Sequence, residues 1–237
     1  MKKTVKHSFA LCIVFISIAL WGITTVYAEK KADTRISTIK ADVTGANIRI
    51  EKSHCDTIQT EYYGTASRAI YALKTAAKGT TYQISLKYKG KGIAPAIKEG
   101  GVIVKIPDGI SPAVKIQGAD GAGIVLDGVK ADAELVTEHC AVEIINKHKS
   151  NQIRINSDAD AYDICSVPIA GDFYLEADGS VVEYAFTKKP SNLKLRLAGG
   201  YVELPEGWSR KQTIGSGSPK MTADMDGGIF ELAVGSK

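Results

Sequence analysis

The sequence is short of cysteine, of aromatic side chains and of net charge, and after Ala28 it contains no long hydrophobic run. Of four cysteines, Cys12 lies in the apolar leader, leaving Cys55, Cys140 and Cys165. An odd number excludes a scaffold stapled by disulfides, and it leaves three pairings open if one bridge forms. Lys and Arg number 30 against 26 Asp and Glu, and Lys2, Lys3 and Lys6 belong to the leader. A body this close to neutral gives no electrostatic case for nucleic-acid binding. Also missing are a glycine-rich phosphate loop ahead of a helix, a histidine pair at metal-ligand spacing and a serine-histidine-acid arrangement. With 44% hydrophobic and 24% charged residues and seven prolines, the chain is neither disordered nor collagen-like.

What is present begins with an export signal. Lys2, Lys3 and Lys6 form a positive start, Phe9 to Ile23 is apolar except for Ser17 and Gly22, and Val26-Tyr27-Ala28 places small residues at the cleavage positions. Cleavage after Ala28 takes three lysines and no acid, which lowers the formal charge from +4 to +1. The competing reading is an uncleaved anchor, because Phe9 to Ala28 has about the 20 residues needed to span a bilayer. Cys12 lacks the small residues before it that lipid attachment requires. Export predicts an extracellular, cell-surface or periplasmic location.

The dipeptides His54-Cys55 and His139-Cys140 invite a zinc site of two histidines and two cysteines. Zinc pairs are usually separated by a few residues, and adjacent strand residues point to opposite faces, so a buried thiol beside a surface histidine is the simpler expectation.

The organisation is a repeat. Triplets of apolar, variable and apolar residues run from Val104-Lys105-Ile106 through Val114-Lys115-Ile116, Ile124-Val125-Leu126, Ala133-Glu134-Leu135, Val142-Glu143-Ile144 and Ile153-Arg154-Ile155. They continue with Tyr162-Asp163-Ile164, Phe173-Tyr174-Leu175, Val182-Glu183-Tyr184, Leu193-Lys194-Leu195 and Val202-Glu203-Leu204. From Leu135 the third positions follow in alternating shorter and longer steps, so that Leu135, Ile155, Leu175 and Leu195 fall one constant period apart, as do Ile144, Ile164, Tyr184 and Leu204. The alternation within each triplet is that of strands, and Gly, Asp, Asn, Ser and Pro between rows are turn formers. A meander of hairpins explains short strands but not the alternation of step lengths. The fold expected is therefore all-β, a single-stranded parallel β-helix or β-solenoid whose coils, of about 20 residues, hold two short strands each. Coils stacked about 4.8 Å apart would extend the repeat to about 25 Å.

A solenoid needs its ends covered. Irregular amino- and carboxyl-terminal caps are expected, giving the division 1–28 signal, 29–101 cap and 102–237 repeats with a terminal cap, the last two forming one domain. Asn47 to Ile50 and Thr80 to Tyr88 alternate like strands. Ser67 to Lys78 predicts a helix capped by Ser67, with Ile70, Leu73 and Ala77 on one face and Gly79 as its stop. Lys89 to Gly101 and Gly215 to Pro219 read as loops, and Phe230-Glu231-Leu232 as a closing strand.

Val102-Ile103-Val104-Lys105-Ile106-Pro107, followed by short strands with turns at Asp120-Gly121, Asp127-Gly128, Gly171-Asp172 and Asp178-Gly179, resembles the bacterial putative-adhesin β-helix family over roughly residues 40 to 235. That family comprises exported and membrane-anchored proteins. The resemblance implies a single-stranded β-helix and adhesion, and it carries over no catalytic residue.

The middle residue of each triplet should face outward. Sorted by the period, one face carries Lys115, Glu134, Arg154, Tyr174 and Lys194, and the other Lys105, Val125, Glu143, Asp163, Glu183 and Glu203. The line Glu143, Asp163, Glu183 and Glu203 is a candidate for weak Ca2+ binding, with no other cofactor expected. Turns after these acidic strands supply Lys130, then Lys147, His148 and Lys149, then Lys188 and Lys189, then Arg210 and Lys211, a basic edge for an anionic polymer. Glu138, Asp158, Asp160 and Asp178 should form an acidic edge opposite.

The function expected is an adhesin-like binding or scaffold module, not an enzyme. Its expected partner is an envelope polymer, a glycan or a surface protein, with no nucleic acid and membrane contact only through an uncleaved leader. One alternative is a β-helix polysaccharide lyase or hydrolase using the acidic line. Those carboxylates would stand parallel on a flat face, whereas glycosidase acids flank the scissile bond. The other alternative is an envelope factor that binds protein along an unpaired end strand.

Overall fold

The computed structural model describes residues 36–91, 94–129, 131–146, 152–166 and 171–235, all within the unit Lys31–Lys237. The predicted signal segment lies outside them. Among the described residues there is no helix, and so none long and apolar enough to cross a membrane.

Seventeen strands form one mostly parallel sheet. The first six are β1 (Thr38–Thr44), β2 (Asn47–Ser53), β3 (Gln59–Gly64), β4 (Tyr71–Lys78), β5 (Thr81–Tyr88) and β6 (Gly100–Pro107). The middle of the chain gives β7 (Ala113–Ala119), β8 (Gly123–Asp127), β9 (Ala133–Glu138), β10 (Ala141–Asn146), β11 (Ile153–Asp158) and β12 (Ala161–Ser166). The last are β13 (Phe173–Asp178), β14 (Val181–Phe186), β15 (Leu193–Glu203), β16 (Lys211–Ile214) and β17 (Lys220–Val234).

Between β7 and β14 each strand pairs in parallel with the strand two further along the chain, so odd and even strands build two separate ladders. The period is visible in the register, where Glu134 meets Arg154 and Arg154 meets Tyr174, while Glu143 meets Asp163 and Asp163 meets Glu183. Along β9, β11 and β13 buried and exposed residues alternate strictly. The apolar half of each strand fills the core. Toward the carboxyl end that core becomes aromatic: Phe173 meets Tyr184 edge-on at 5.2 Å, and Tyr184 lies 5.0 Å from Phe186. Each such fully buried ring stabilises the fold by about 1.5–3 kcal/mol.

The corners from first to second ladder share one backbone device. Gly45, Asp120, His139, Ala159 and Gly179, each directly after a first-ladder strand, have φ between 52° and 57°. After β1, β9, β11 and β13 two residues precede the following strand, and the second of them turns inward, as with Cys140, Asp160 and Ser180. The His139-Cys140 dipeptide is thereby explained: the histidine takes the left-handed corner and the thiol is buried. His54 instead sits exposed beside Asp108, Nδ1 to Oδ2 2.5 Å, and among the described residues no group of three or more His, Cys, Asp and Glu is placed to hold a metal.

Chain order and spatial order part company at both ends. The rung formed by β1 and β2 lies between the β5–β6 rung and the β7–β8 rung. At the other end β17 lies between β13 and β14 on one side and β15 on the other. Both long strands turn the corner and serve both ladders. Phe230-Glu231-Leu232 is therefore an interior rung, not a closing strand.

The caps are strands and not irregular segments. β3 runs antiparallel on β6, β4 on β5, and β16 on β15. Ser67–Lys78 corrects the helix expectation: after a turn at Ser67, where the Tyr71 N–H donates to the Ser67 carbonyl at 3.0 Å, the chain enters β4. Gly79, with φ 58°, opens a two-residue hairpin loop into β5, the place where a primed turn favours glycine. Leu73 and Ala77 fit a helical period with Ile70 and equally a strand period with Tyr71, and the adjoining β5 decides between them.

Candidate functional site

The outward residues of β10, β12, β14, β17 and β15 form rows across the second ladder. In the central row, Glu143 is in register with Asp163, Asp163 with Glu183, Glu183 with Glu231, and Glu231 with Glu203. All four predicted acids are thus brought together, and Glu231 is a fifth that the regular spacing skipped. On one side runs Ala141, Ala161, Val181, Ile229 and Tyr201, and on the other Ile145, Cys165, Ala185 and Ala233. Val181, Ile229 and Tyr201 are 42%, 42% and 60% exposed, three of the five exposed large apolar side chains among the described residues.

Two predicted alignments shift by one outward position. Lys105 pairs with Glu51 and so joins the Asp127 row, where its ammonium also meets Glu61; Ile103 and Arg49 align with Val125 instead. On the first ladder Tyr174 aligns with Thr222 and then Arg196, while Lys194 aligns with Lys220. The apparent regular step from Tyr184 to Leu195 is a coincidence of spacing, because Leu197 occupies the position of Leu175, with Ala223 between them. Elsewhere this face is self-paired: Lys115 Nζ bridges Glu134 at 2.6 Å, and the Arg154 guanidinium lies 6.0 Å from the Tyr174 ring centre.

The basic edge divides. Lys130, Lys147, His148 and Lys149 lie outside the described residues. Lys188 and Lys189 are exposed in the connection entering β15. Arg210 turns to the other corner, donating to the carbonyls of Gly199 at 2.8 Å and Gly200 at 3.1 Å, where Glu138, Asp158, Asp178 and Asp226 form an in-register row. Lys211, on β16, pairs in register with Arg196, and Lys194 with Lys220, so these four exposed residues gather on neighbouring strands. None of Lys188, Lys189, Lys194, Arg196, Lys211 and Lys220 forms an ion pair with another described residue.

Asp160, expected on the acidic edge, is buried. The Cys140 N–H donates to its Oδ1 at 2.5 Å and the Thr137 hydroxyl to its Oδ2 at 2.5 Å. Its own N–H donates to Ser180 Oγ at 3.2 Å. Burial raises its pKa against the lowering effect of these donors, and burial pushes the Cys140 thiol up to about 11.

A cleft of about 430 Å³ opens at the amino-terminal end of the acidic face, between Arg49, Val125 and Glu143 on the sheet and Tyr63, Ile97 and Lys98 above it. Asn47 holds this roof, donating from Nδ2 to the carbonyls of Pro95 and Gly100, each at 2.7 Å, and Tyr63 donates to the Ile97 carbonyl at 2.5 Å. Arg49 is bound to Glu51 at 2.7 Å and to Asp127; burial works against its charge, but these carboxylates outweigh it and raise its pKa. Among the described residues that line the cleft, Glu143 is the carboxylate and Arg49 and Lys98 are the bases.

No family model and no curated protein matches the chain. Among solved structures it is similar to a putative cell adhesion protein from Clostridium sporogenes ATCC 15579, at 11% identity and a TM-score of 0.47, covering 87% of this chain and 96% of that one.

Proposed function

We propose that the chain is an exported β-solenoid that works as an adhesin-like binding or scaffold module and holds an anionic envelope polymer against its carboxyl-terminal coils. The observation carrying this reading is the group Lys188, Lys189, Lys194, Arg196, Lys211 and Lys220: exposed, on or leading into adjoining strands, and without carboxylate partners among the described residues. Unpaired like charges held close on a rigid sheet raise the local potential and attract a polyanion through contacts that salt screens. Of the predicted basic edge this patch keeps Lys188, Lys189 and Lys211, and it adds Lys194, Arg196 and Lys220. The signal at 1–28, the cap at 29–101 and the repeats at 102–237 belong to the same proposal, as does the absence of catalysis.

The purified protein is tested against heparin and polygalacturonate at low and high salt, with the polymers analysed for cleavage. Salt-sensitive binding that is lost on combining Lys188→Glu, Lys189→Glu and Lys220→Glu is expected. Binding unchanged by the triple variant overturns the patch, and cleavage of either polymer overturns the non-catalytic reading.

A further inference from the structure

The side chains of β10, β12, β14, β17 and β15 in the three rows consist of five carboxylic acids and otherwise of apolar residues, of which Ala185 is buried. There is no Lys, Arg, Ser, Thr, Asn or Gln among them. A face shaped only for water would mix both signs and scatter its apolar groups. Here Val181, Ile229 and Tyr201 stand on consecutive rungs, each directly beside the acidic row. Such a surface is complementary to a ligand that carries a cationic stripe and an apolar stripe side by side.

The spacing selects the ligand's form. Successive acids are about 4.8 Å apart along the ladder. An extended peptide lying along that axis presents same-side residues about 6.7 Å apart and loses step within two rungs. An α-helix presents a stripe every three or four residues, on average about 5.3 Å of rise, and stays within about 2 Å of register over all five acids. We propose that this face docks a basic amphipathic α-helix of a partner protein, about 13 residues long. Its axis runs along the ladder, with its Lys and Arg stripe over the acidic row and its apolar stripe over Val181, Ile229 and Tyr201. This is the helix-in-groove mode of recognition applied to a sheet face. A polyamine would use the acids and leave the apolar row unexplained. The site is separate from the basic patch and does not depend on it.

The probe is a synthetic Lys/Leu peptide of about 14 residues with lysines and leucines in adjacent helical stripes, compared with a scrambled isomer and with spermine. Binding to the full chain is followed by fluorescence anisotropy and peptide helicity by circular dichroism. The striped peptide should bind at least about tenfold more tightly than the scrambled one and gain helix on binding. Glu183→Lys with Glu231→Lys, and separately Val181→Asp, should each weaken it about tenfold or more while leaving Tm nearly unchanged. Lys188→Glu with Lys189→Glu should leave it intact, which separates this site from the polymer patch. Equal binding of the scrambled peptide or of spermine, unchanged affinity in the face variants, or no binding at millimolar peptide each overturns the proposal. Concentration-dependent oligomers abolished by the Glu183/Glu231 pair would assign the face to a second copy and overturn it as well.

Discussion

Glu231 stands directly beside Glu183 in the second ladder, although the whole of β15 and β16 intervenes between them along the chain. Glu203 flanks Glu231 on the other side. Two like charges about 4.8 Å apart in water repel by about 1 kcal/mol before salt screening. Glu231→Gln should therefore raise stability by up to about 1 kcal/mol at low salt, with the gain fading at high salt. Chemical denaturation at two ionic strengths measures this, and a loss of stability would mean that the row is held by a counterion.

Asp160 should make stability depend on pH in the direction opposite to a salt-bridged carboxylate. Its folded-state pKa is raised by burial, so its stabilising contribution is complete below the unfolded value of about 4 and is lost as pH rises through the folded value. Asp160→Asn keeps an acceptor for the Cys140 N–H and removes the charge. Its Tm should exceed that of the parent at neutral pH, and the difference should close on acidification. A variant less stable at every pH would show that Thr137 and Cys140 need the carboxylate itself.

Ala159 and Gly179 occupy equivalent corners, with φ of 52° and 56°. A side chain in this left-handed conformation costs about 1 kcal/mol, partly offset by the entropy glycine loses on folding. Ala159→Gly should be neutral to stabilising and Gly179→Ala destabilising by about 1 kcal/mol, with no steric contribution, since nothing lies within 4 Å of a Cβ built at Gly179. Equilibrium unfolding of the two variants gives the signs.

The roof of the cleft rests on Gly123, where an added Cβ would meet both Asn47 Oδ1 and Ile97 Cγ1 at 2.3 Å. Gly123→Ala should lift residues 94–99 from the sheet and cost about 1–3 kcal/mol. Asn47→Ala, which takes a donor from the Pro95 and Gly100 carbonyls and leaves Gly100 the longer bond from the Tyr71 hydroxyl, should have a similar cost. Both should speed proteolysis in 94–99 while leaving the distant β9–β14 rungs protected from hydrogen exchange.

Cys165 is exposed, Cys55 half-buried and Cys140 buried. With its thiol pushed up to about 11, Cys140 should resist alkylation at neutral pH until the protein unfolds, while Cys165 reacts at once. Mass spectrometry of timed labelling tests the order.

The middle of the fold is legible because inward positions one period apart contact one another on neighbouring rungs, so Leu135, Ile155 and Leu175 must all be apolar. The ends are not, because their partners are set by threading. The step from Glu183 to Glu231 leaves no local period, and Leu195 supplied a false continuation by falling one period after Leu175. Asp160 departs from expectation for another reason: polarity marks a turn, but at these corners the second residue points inward, and donors from Thr137 and the Cys140 N–H make a buried carboxylate tolerable there. The five-acid row was readable as four, whereas gathering Lys194, Arg196, Lys211 and Lys220 required the antiparallel pairing of β16.

The threading of β17 also governs how the molecule can come apart. In a coil stack laid down in chain order, the last strand is an edge that peels away with the loss of one interface. Here β17 has parallel neighbours on both sides in both ladders, and the β1–β2 rung is enclosed in the same manner. Each end is thus a clasp, fastened by a strand that enters between rungs placed on either side of it. Fraying cannot retrace the order of synthesis, and assembly must hold β15 unseated until β17 arrives. The contacts closing the fold are then among its most distant in sequence, which predicts slow closure and correspondingly slow release.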